Sequence, residues 1–182
     1  MAVDRVEKRL RKATAALDDA GIPYAVIGGN AVAAWVGRVN HSATRATKDV
    51  DLLVRKPDLD RITEAMGSIH FQRQDLRNIV LFLDPDEPDR RCGVHLVWAD
   101  ELVRPSYGHP APSVDEAVRD PEGFLVLDLA PLVRMKLTSN RPIDQVHIGD
   151  MLSVGLIDPS LCSALPQELQ ARLADIEAAM ED

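Results

Sequence analysis

The chain has 182 residues, a size typical of one domain or of one domain with a small appendage. Hydrophobic residues make up 46% of it, which is enough to form a core and argues against extended disorder. The net charge of -8 argues against broad, non-specific nucleic-acid binding, because that needs a basic surface. The charged amino terminus does not resemble a secretory signal, and no apolar run approaches the ~20 residues that cross a bilayer. The two cysteines are far apart in the sequence, which indicates reduced thiols. We therefore expect a cytoplasmic protein that does not enter membranes.

The amino-terminal part predicts a helix, a strand and a second, shorter helix. Apolar residues recur at helical spacing over residues 4–20, and Gly21 ends that helix. A strand is expected at Tyr24–Ile27, followed by a turn at residues 28–30. Small residues over 31–37 then predict a short helix that packs closely against its neighbours.

The middle of the chain predicts further strands. A polar loop over residues 38–48 leads to a strand at Asp49–Val54, and Pro57 opens a helix that ends near residue 67. Strands are expected at 71–76 and 78–84 and, after a turn rich in proline and aspartate, within 92–99, with an antiparallel hairpin among them.

The last third predicts mainly helix. After a proline-rich connector at 105–112, a short strand and then a helix are expected within 122–140, and residues 143–157 continue helically. A final helical stripe is interpreted as core packing; it consists of Leu165, Leu169, Leu173, Ile176 and Met180. The whole pattern predicts an α/β (α+β) protein: a mixed sheet flanked by helices over residues 1–108, with a helical appendage over 109–182 packed on that core.

Two carboxylates lie one residue apart in an apolar run, at Asp49 and Asp51. Side chains alternate faces along a strand, so both should project from the same face while Val50 and Leu52 join the core. Carboxylates held so close repel each other, and a shared cation relieves the repulsion. Oxygen ligands suit a hard ion such as Mg²⁺, which keeps positions open for phosphate oxygens. An ordinary pair of acids on an exposed strand has the same spacing, so the neighbouring residues are needed to distinguish a metal site from such a pair.

That context is a pair of glycines between a strand and a helix, at Gly28 and Gly29. Glycine allows a tight turn and a close approach of a ligand to the backbone, and the free N–H groups at a helix start favour an anion. The spacing fits neither a dinucleotide-binding fingerprint nor a phosphate-binding loop of the Gly-Lys-Ser/Thr type. It places an anion cradle beside the acidic pair.

The order strand, Gly-Gly, short helix, Arg-x-Thr-x-Asp-x-Asp, strand resembles the nucleotidyltransferase superfamily. The segments "IGGNAVAAWVG" and "RATKDVDLLV" are similar to its AbiEii-type and minimal branches, and the later "LVRMKL" with Arg141 and Asp144 is also similar. The resemblance covers roughly residues 20–155 and implies a nucleotidyltransferase-like mixed sheet.

The resemblance implies an enzyme that transfers a nucleoside monophosphate from an NTP to a hydroxyl group and releases pyrophosphate. Asp49 and Asp51 would be the ligands of Mg²⁺ or Mn²⁺. The acceptor would be RNA, a protein or a small molecule, and the AbiEii likeness adds the toxin of a toxin–antitoxin pair, with an antitoxin protein as partner. The residues expected to bind the nucleotide are Gly28, Gly29, Asn30, Arg45, Thr47, Lys48, Lys136 and Arg141.

The third acid of the family is missing at the position where it is expected. The matching strand is 93–98, and His95 stands where a carboxylate normally faces the pair. His95 can act as a base or a metal ligand in its place, or be a structural residue. Alternatively an acid at a strand end takes that role; the candidates are Asp84, Asp86 and Asp100. The third possibility is a catalytically inactive module of the same fold that binds or regulates without turnover.

Overall fold

The computed structural model describes residues 2–77 and 79–181, and within them a single mixed sheet carries seven strands. The order across the sheet is β3-β4-β5-β2-β1-β7-β6. The strands are β1 Tyr24–Ile27, β2 Val50–Val54, β3 Gln72–Leu76, β4 Ile79–Leu83, β5 Val94–Trp98, β6 Ala117–Arg119 and β7 Leu125–Leu127. This arrangement is the α/β fold that the sequence predicts.

Seven α-helices accompany the sheet in the described part of the chain. They are α1 Ala2–Asp19, α2 Gly28–Val39, α3 Leu59–Ser68, α4 Leu129–Ser139, α5 Pro142–Ser153, α6 Pro159–Ala164 and α7 Gln167–Glu181. They form two groups: α1 packs on α3, whereas α2, α4, α5 and α7 pack on one another. Both groups contact the central strands, and their apolar side chains join those of the sheet in one core.

The central strands bring three distant segments into register. β2 runs antiparallel to β1 and parallel to β5. Asp51 lies opposite Ile27 on one side and opposite His95 on the other. Because directly paired residues point to the same face of a sheet, the side chains of Asp51 and His95 are neighbours.

Most predicted elements are present, with differences at their ends. β1 has the predicted bounds, whereas Asp49 lies just before β2 rather than in it. The predicted turn at 28–30 is already the first turn of α2. β4 matches the strand expected at 78–84, of which residue 78 lies outside the described residues. In the terminal stripe four residues are buried and Met180 is half exposed, so the interpretation as core holds for all but the last.

Strands β6 and β7 lie beyond residue 108 and belong to the same sheet as the strands before it. β7 runs parallel to β1, and β6 completes that edge. The boundary at residues 108 and 109 therefore falls between strands of one sheet, and the division into a core over 1–108 and an appendage over 109–182 stays a prediction. No helix in the described ranges is long and apolar enough to cross a membrane.

Candidate active site

Three polar side chains converge where β2 and β5 begin. The Nδ1 atom of His95 lies 3.5 Å from Oδ1 of Asp51 and 3.7 Å from Oδ2 of Asp49. Each residue offers one ligand atom, and these atoms all lie within 4.8 Å of one another. All three side chains are partly exposed, so the cluster is open to a ligand.

The orientation of the imidazole follows from its second nitrogen. Nε2 of His95 lies 3.0 Å from the backbone carbonyl oxygen of Arg90. A carbonyl oxygen only accepts hydrogen bonds, so Nε2 carries a hydrogen and donates it. In the neutral ring Nδ1 then has a lone pair, which points at two carboxylates. Such an arrangement requires either a proton on Nδ1 or a cation among the three groups.

The acidic neighbours also change the protonation of this ring. The hydrogen-bonding carboxylate of Asp51 raises the pKa of His95 above its ordinary value, although burial acts in the opposite direction. The charge of Asp49 adds to the increase. The site therefore favours positive charge at Nδ1, which is also the place where a metal ion would be attracted.

Residues from two other segments position Asp49. The hydroxyl of Thr47 donates to Oδ1 of Asp49 over 2.8 Å. The Nδ2 atom of Asn30, in the first turn of α2, donates to the backbone carbonyl oxygen of Asp49 over 2.8 Å. In this structure Asn30 thus holds the segment that carries the first acid, and its predicted contact with triphosphate stays a prediction.

Gly28 begins α2 directly beside the second acid. Its φ is +67°, in the left-handed region, and a Cβ atom there would lie 2.2 Å from Oδ2 of Asp51. A Cβ on Gly29 would lie 3.0 Å from Cβ of Thr47. Neither a side-chain cap nor an acidic residue occupies the first turn of α2. The helix start therefore keeps free N–H groups beside the carboxylates, an arrangement that suits a phosphate bound together with a cation.

Arg141 and Lys136 share one carboxylate, that of Asp144. Lys136 Nζ lies 3.0 Å from Asp144 Oδ1, and Arg141 Nε lies 2.7 Å from Asp144 Oδ2. Burial alone would raise the pKa of Asp144, but Arg141, Lys136 and a hydroxyl from Ser139 lower it well below its ordinary value.

The two cations differ in what they can reach. Lys136 is only 5% exposed, so it supports Asp144 from inside the protein. Arg141 is half exposed, and its pKa is raised mainly by the hydrogen bond to Asp144, with smaller contributions from Tyr107 and Asp51. Arg141 therefore lies within electrostatic reach of the acidic pair, whereas a phosphate contact by Lys136 stays a prediction that this burial does not favour.

The cationic side chains of the loop before β2, Arg45 and Lys48, are not part of the cluster of Asp49, Asp51 and His95. Nε of Arg45 lies 2.6 Å from Asp150 of α5, at the rim of an open cavity of about 650 Å³ between the loop, α5 and α7. None of the three converging side chains lines that cavity. The backbone carbonyl of Lys48 accepts a hydrogen bond from Arg9, and its side chain is exposed. Nucleotide binding by Arg45 and Lys48 stays a prediction.

The alternative third acids are occupied or distant. Asp84 is buried, and both it and Asp86 lie within 3.4 Å of Nζ of Lys12. Asp100 follows β5 at the end of that strand opposite to His95. Position 95 is therefore the one that faces the acidic pair, as the sequence predicted for the missing third acid.

The three groups fit a divalent cation. Two ligands bound to one ion at roughly 2.1 Å are about 3 Å apart at right angles and about 4.2 Å apart when opposite. The distances of 3.5 and 3.7 Å from Nδ1 to the carboxylates fall between those limits. The whole set of ligand atoms lies within 4.8 Å, so the groups would close slightly around a bound ion.

Solved structures of similar shape agree with this reading of the fold. The solution structure of the antibiotic-resistance factor ANT(2'')-Ia is 18% identical, with a TM-score of 0.58 over 100% of this chain and 97% of that one. The crystal structure of ANT(2")-Ia in complex with adenylyl-2"-tobramycin is 18% identical, with a TM-score of 0.56 over 97% of this chain and 99% of that one. An antigenic nucleotidyltransferase-like protein from Paracoccidioides brasiliensis is 20% identical, with a TM-score of 0.63 over 100% of this chain and 91% of that one.

This likeness shows that the chain has a nucleotidyltransferase-like fold. No protein-family model and no curated protein matches the sequence.

Sequence reasoning missed two contributors to the site. The carbonyl of Arg90 orients His95, and Arg9 binds the carbonyl of Lys48 just before the acidic pair. No pattern of residue types marks a backbone carbonyl as an orienting group. Arg9 is one of many charged residues in α1, so its type did not distinguish it, although its spacing from the apolar Val6 and Leu10 indicates a position next to the buried face.

Proposed function

We propose that the protein transfers a nucleoside monophosphate from an NTP to a hydroxyl group. The observation that carries the proposal is the convergence of Asp49, Asp51 and His95 beside the uncapped start of α2. In the reaction the acceptor oxygen bonds to the α-phosphorus, the bond from that phosphorus to the β-phosphate oxygen breaks, and pyrophosphate and the hydroxyl proton are released.

Each part of the site has a task in that reaction. Asp49 and Asp51 hold a divalent cation, Mg²⁺ or Mn²⁺, which supplies charge neutralisation for the triphosphate. The N–H groups at the start of α2 bind phosphate oxygens, and glycine at position 28 lets them approach closely. Arg141, fixed by Asp144, adds positive charge near the acids. Catalysis of this kind depends mainly on positioning and electrostatics.

A small hydroxyl-bearing molecule is the first acceptor to test. One neighbour of the same fold is described in complex with adenylyl-2"-tobramycin, a nucleotidylated small molecule. The net charge of -8 also suits a cationic acceptor better than a long RNA. A toxin that modifies RNA or protein, with an antitoxin as partner, is the second acceptor class to test.

The test is transfer of label from each α-³²P NTP, with Mg²⁺ or Mn²⁺, to aminoglycosides, to tRNA and to cell extract. Asp49→Asn and Asp51→Asn should each abolish transfer, because each removes a cation-binding charge. Asp75→Asn is the matched control, since Asp75 lies on the edge strand β3 and is 59% exposed. Transfer that survives in either site variant would refute the proposal.

The second candidate is a module of this fold that binds nucleotide without turnover. It is favoured by the histidine at position 95, where the motif resemblance implies an acid. NTP binding that depends on Asp49 and Asp51, without label transfer to any acceptor, is the result that would select this candidate.

A further inference from the structure

We propose that Nδ1 of His95 is the third metal ligand and that it makes the site prefer a first-row transition-metal ion, such as Mn²⁺ or Co²⁺, over Mg²⁺. The inference rests on the proposed function only in taking the acidic pair as the cation site. It assigns a nitrogen ligand that a site made of carboxylates alone would not have.

The first argument is the way in which the ring is held. The donor Nε2 is bound to the carbonyl oxygen of Arg90, which leaves Nδ1 as the free nitrogen, directed at Asp49 and Asp51. Metal-binding histidines almost always donate their other ring N–H to a carbonyl or carboxylate, which fixes both tautomer and orientation. The environment of His95 has that form.

The second argument is that position 95 cannot move away from the acids. β5 lies between β4 and β2, and the backbone of His95 is paired with Leu81 on one side and with Asp51 on the other. The side chain is therefore anchored on a central strand, and its ring stays opposite the pair. A ligand that is pre-positioned in this way loses little freedom when an ion binds.

The third argument is the chemistry of the donor set. Imidazole suits the later first-row transition metals, whereas Mg²⁺ prefers carboxylate, carbonyl and water oxygens. Mn²⁺ also accepts oxygen ligands, so it gains less from the nitrogen than Co²⁺ does. A neutral imidazole also brings one negative charge less than a third carboxylate would. The smaller charge weakens the binding of every divalent cation alike, so the preference over Mg²⁺ comes from the nitrogen donor alone.

The direct measurement is made on the unaltered protein with Mn²⁺ alone. Electron spin-echo envelope modulation of bound Mn²⁺ should show coupling to ¹⁴N, and Asp49→Asn together with Asp51→Asn should remove the bound ion. Competition with Mg²⁺, followed by the free Mn²⁺ signal, should show that Mn²⁺ binds more tightly than Mg²⁺. Bound Mn²⁺ without ¹⁴N coupling, or equal affinities for the two ions, would overturn the inference.

Substitution of His95 tests whether its imidazole nitrogen is itself the metal ligand. His95→Asp should remove the ¹⁴N coupling and lower the Mn²⁺-to-Mg²⁺ affinity ratio, because it produces an all-oxygen site. His109→Asn is the matched control, because His109 also pairs with a carboxylate, that of Glu168 at 2.7 Å, but lies outside the cluster. An unchanged ratio in a folded His95→Asp variant would also refute the assignment, and the unaltered protein still decides if that variant does not fold.

The metal experiment and the transfer experiment fail independently. A ¹⁴N-coupled, Mn²⁺-preferring site in a protein without label transfer would uphold the ligand assignment and refute the enzyme. Label transfer supported equally by Mg²⁺ and Mn²⁺, with no ¹⁴N coupling, would uphold the enzyme and refute the ligand assignment.

Discussion

At the scale of single residues, the missing side chain of Gly28 shapes the site. Its φ of +67° belongs to the left-handed region, and the space that a Cβ would need is taken by the carboxylate of Asp51. Gly21 has nearly the same backbone conformation, φ +61°, but nothing lies within 4 Å of its hypothetical Cβ. A substitution of Gly21 therefore introduces backbone strain alone, whereas a substitution of Gly28 introduces strain and also displaces Asp51.

Alanine at these two positions should have different effects on cation binding. Gly21→Ala should lower the free energy of unfolding by about 1 kcal/mol, the cost of a left-handed alanine, and leave Mn²⁺ affinity unchanged. Gly28→Ala carries the same strain and must also displace Asp51, so we expect Mn²⁺ affinity to fall at least about tenfold. Urea unfolding and Mn²⁺ titration of both variants test this. Equal affinities would show that Asp51 tolerates the extra atom.

At the scale of elements, the junction of α4 and α5 is built on one buried charge pair. α4 ends at Ser139 and is capped by Asn140, whose φ of 45° is left-handed, and α5 has Asp144 in its first turn. Lys136 and Asp144 are both at most 5% exposed. The junction thus fixes the two helices and, through Asp144, the guanidinium of Arg141, which lies within electrostatic reach of Asp51.

Loss of Lys136 should destabilise the protein far more than loss of an exposed lysine. Lys136→Met leaves a buried carboxylate with fewer partners, so we expect the free energy of unfolding to fall by about 3 kcal/mol. Lys56→Met is the control, because the Lys56–Glu101 pair also has a separation of 3.0 Å but is exposed, and should cost about 0–1 kcal/mol. Urea unfolding measures both variants, and similar losses would contradict the view that burial sets the difference.

The same junction should make the protein sensitive to mild acid through His147. Burial, assisted by the Lys136 ammonium, lowers the pKa of His147 to about 4 from the usual 6.5. Between those values the unfolded state binds more protons, so the free energy of unfolding should fall as pH drops from 6.5 towards 4, and His147 should have no effect above pH 6.5. The loss attributable to His147 should be on the order of 2–3 kcal/mol at pH 4.

The variant His147→Gln isolates that contribution, because glutamine does not titrate. Urea unfolding at pH 7, 6 and 5 should show a smaller decrease for the variant than for the unaltered protein. Parallel pH dependence of the two proteins would exclude His147 as the source.

At the scale of the whole molecule, Arg9 connects the amino-terminal helix α1 to the segment before β2 and to the segment between β4 and β5. Its guanidinium is bonded to the backbone carbonyl of Lys48, one residue before Asp49, and to the carboxylate of Glu87 between β4 and β5. Its side chain is 2% exposed. Arg5 lies 3.7 Å from the same Glu87 but is 71% exposed, so one carboxylate has a buried and an exposed partner.

Substitution of the buried arginine should be costly and that of the exposed one should not. Arg9→Met leaves the Lys48 carbonyl and Glu87 without their main partner, so the free energy of unfolding should fall by about 2–3 kcal/mol. Arg5→Met should change it by less than about 1 kcal/mol. Thermal and urea unfolding measure both, and an equally small effect of Arg9→Met would contradict a connecting role.

Local patterns predicted the parts of the structure that depend on neighbours in sequence. β1 was found with its bounds, and the spacing of Asp49 and Asp51 correctly placed both carboxylates in one cluster. Strand β6 was missed, because three residues, "AVR" between acidic neighbours, carry too little periodicity. The orientation of His95 and the burial of Arg9 and Lys136 depend on groups far away in the chain, which no local pattern contains.

The register of β2 against β5 has a consequence for evolution. Backbone pairing brings position 95 opposite Asp51 whichever side chain it carries. A single base change in a histidine codon yields aspartate, so evolution can exchange a nitrogen ligand for an oxygen ligand at position 95 without changing the fold. Adaptation to manganese-rich or magnesium-rich surroundings would then require one mutational step.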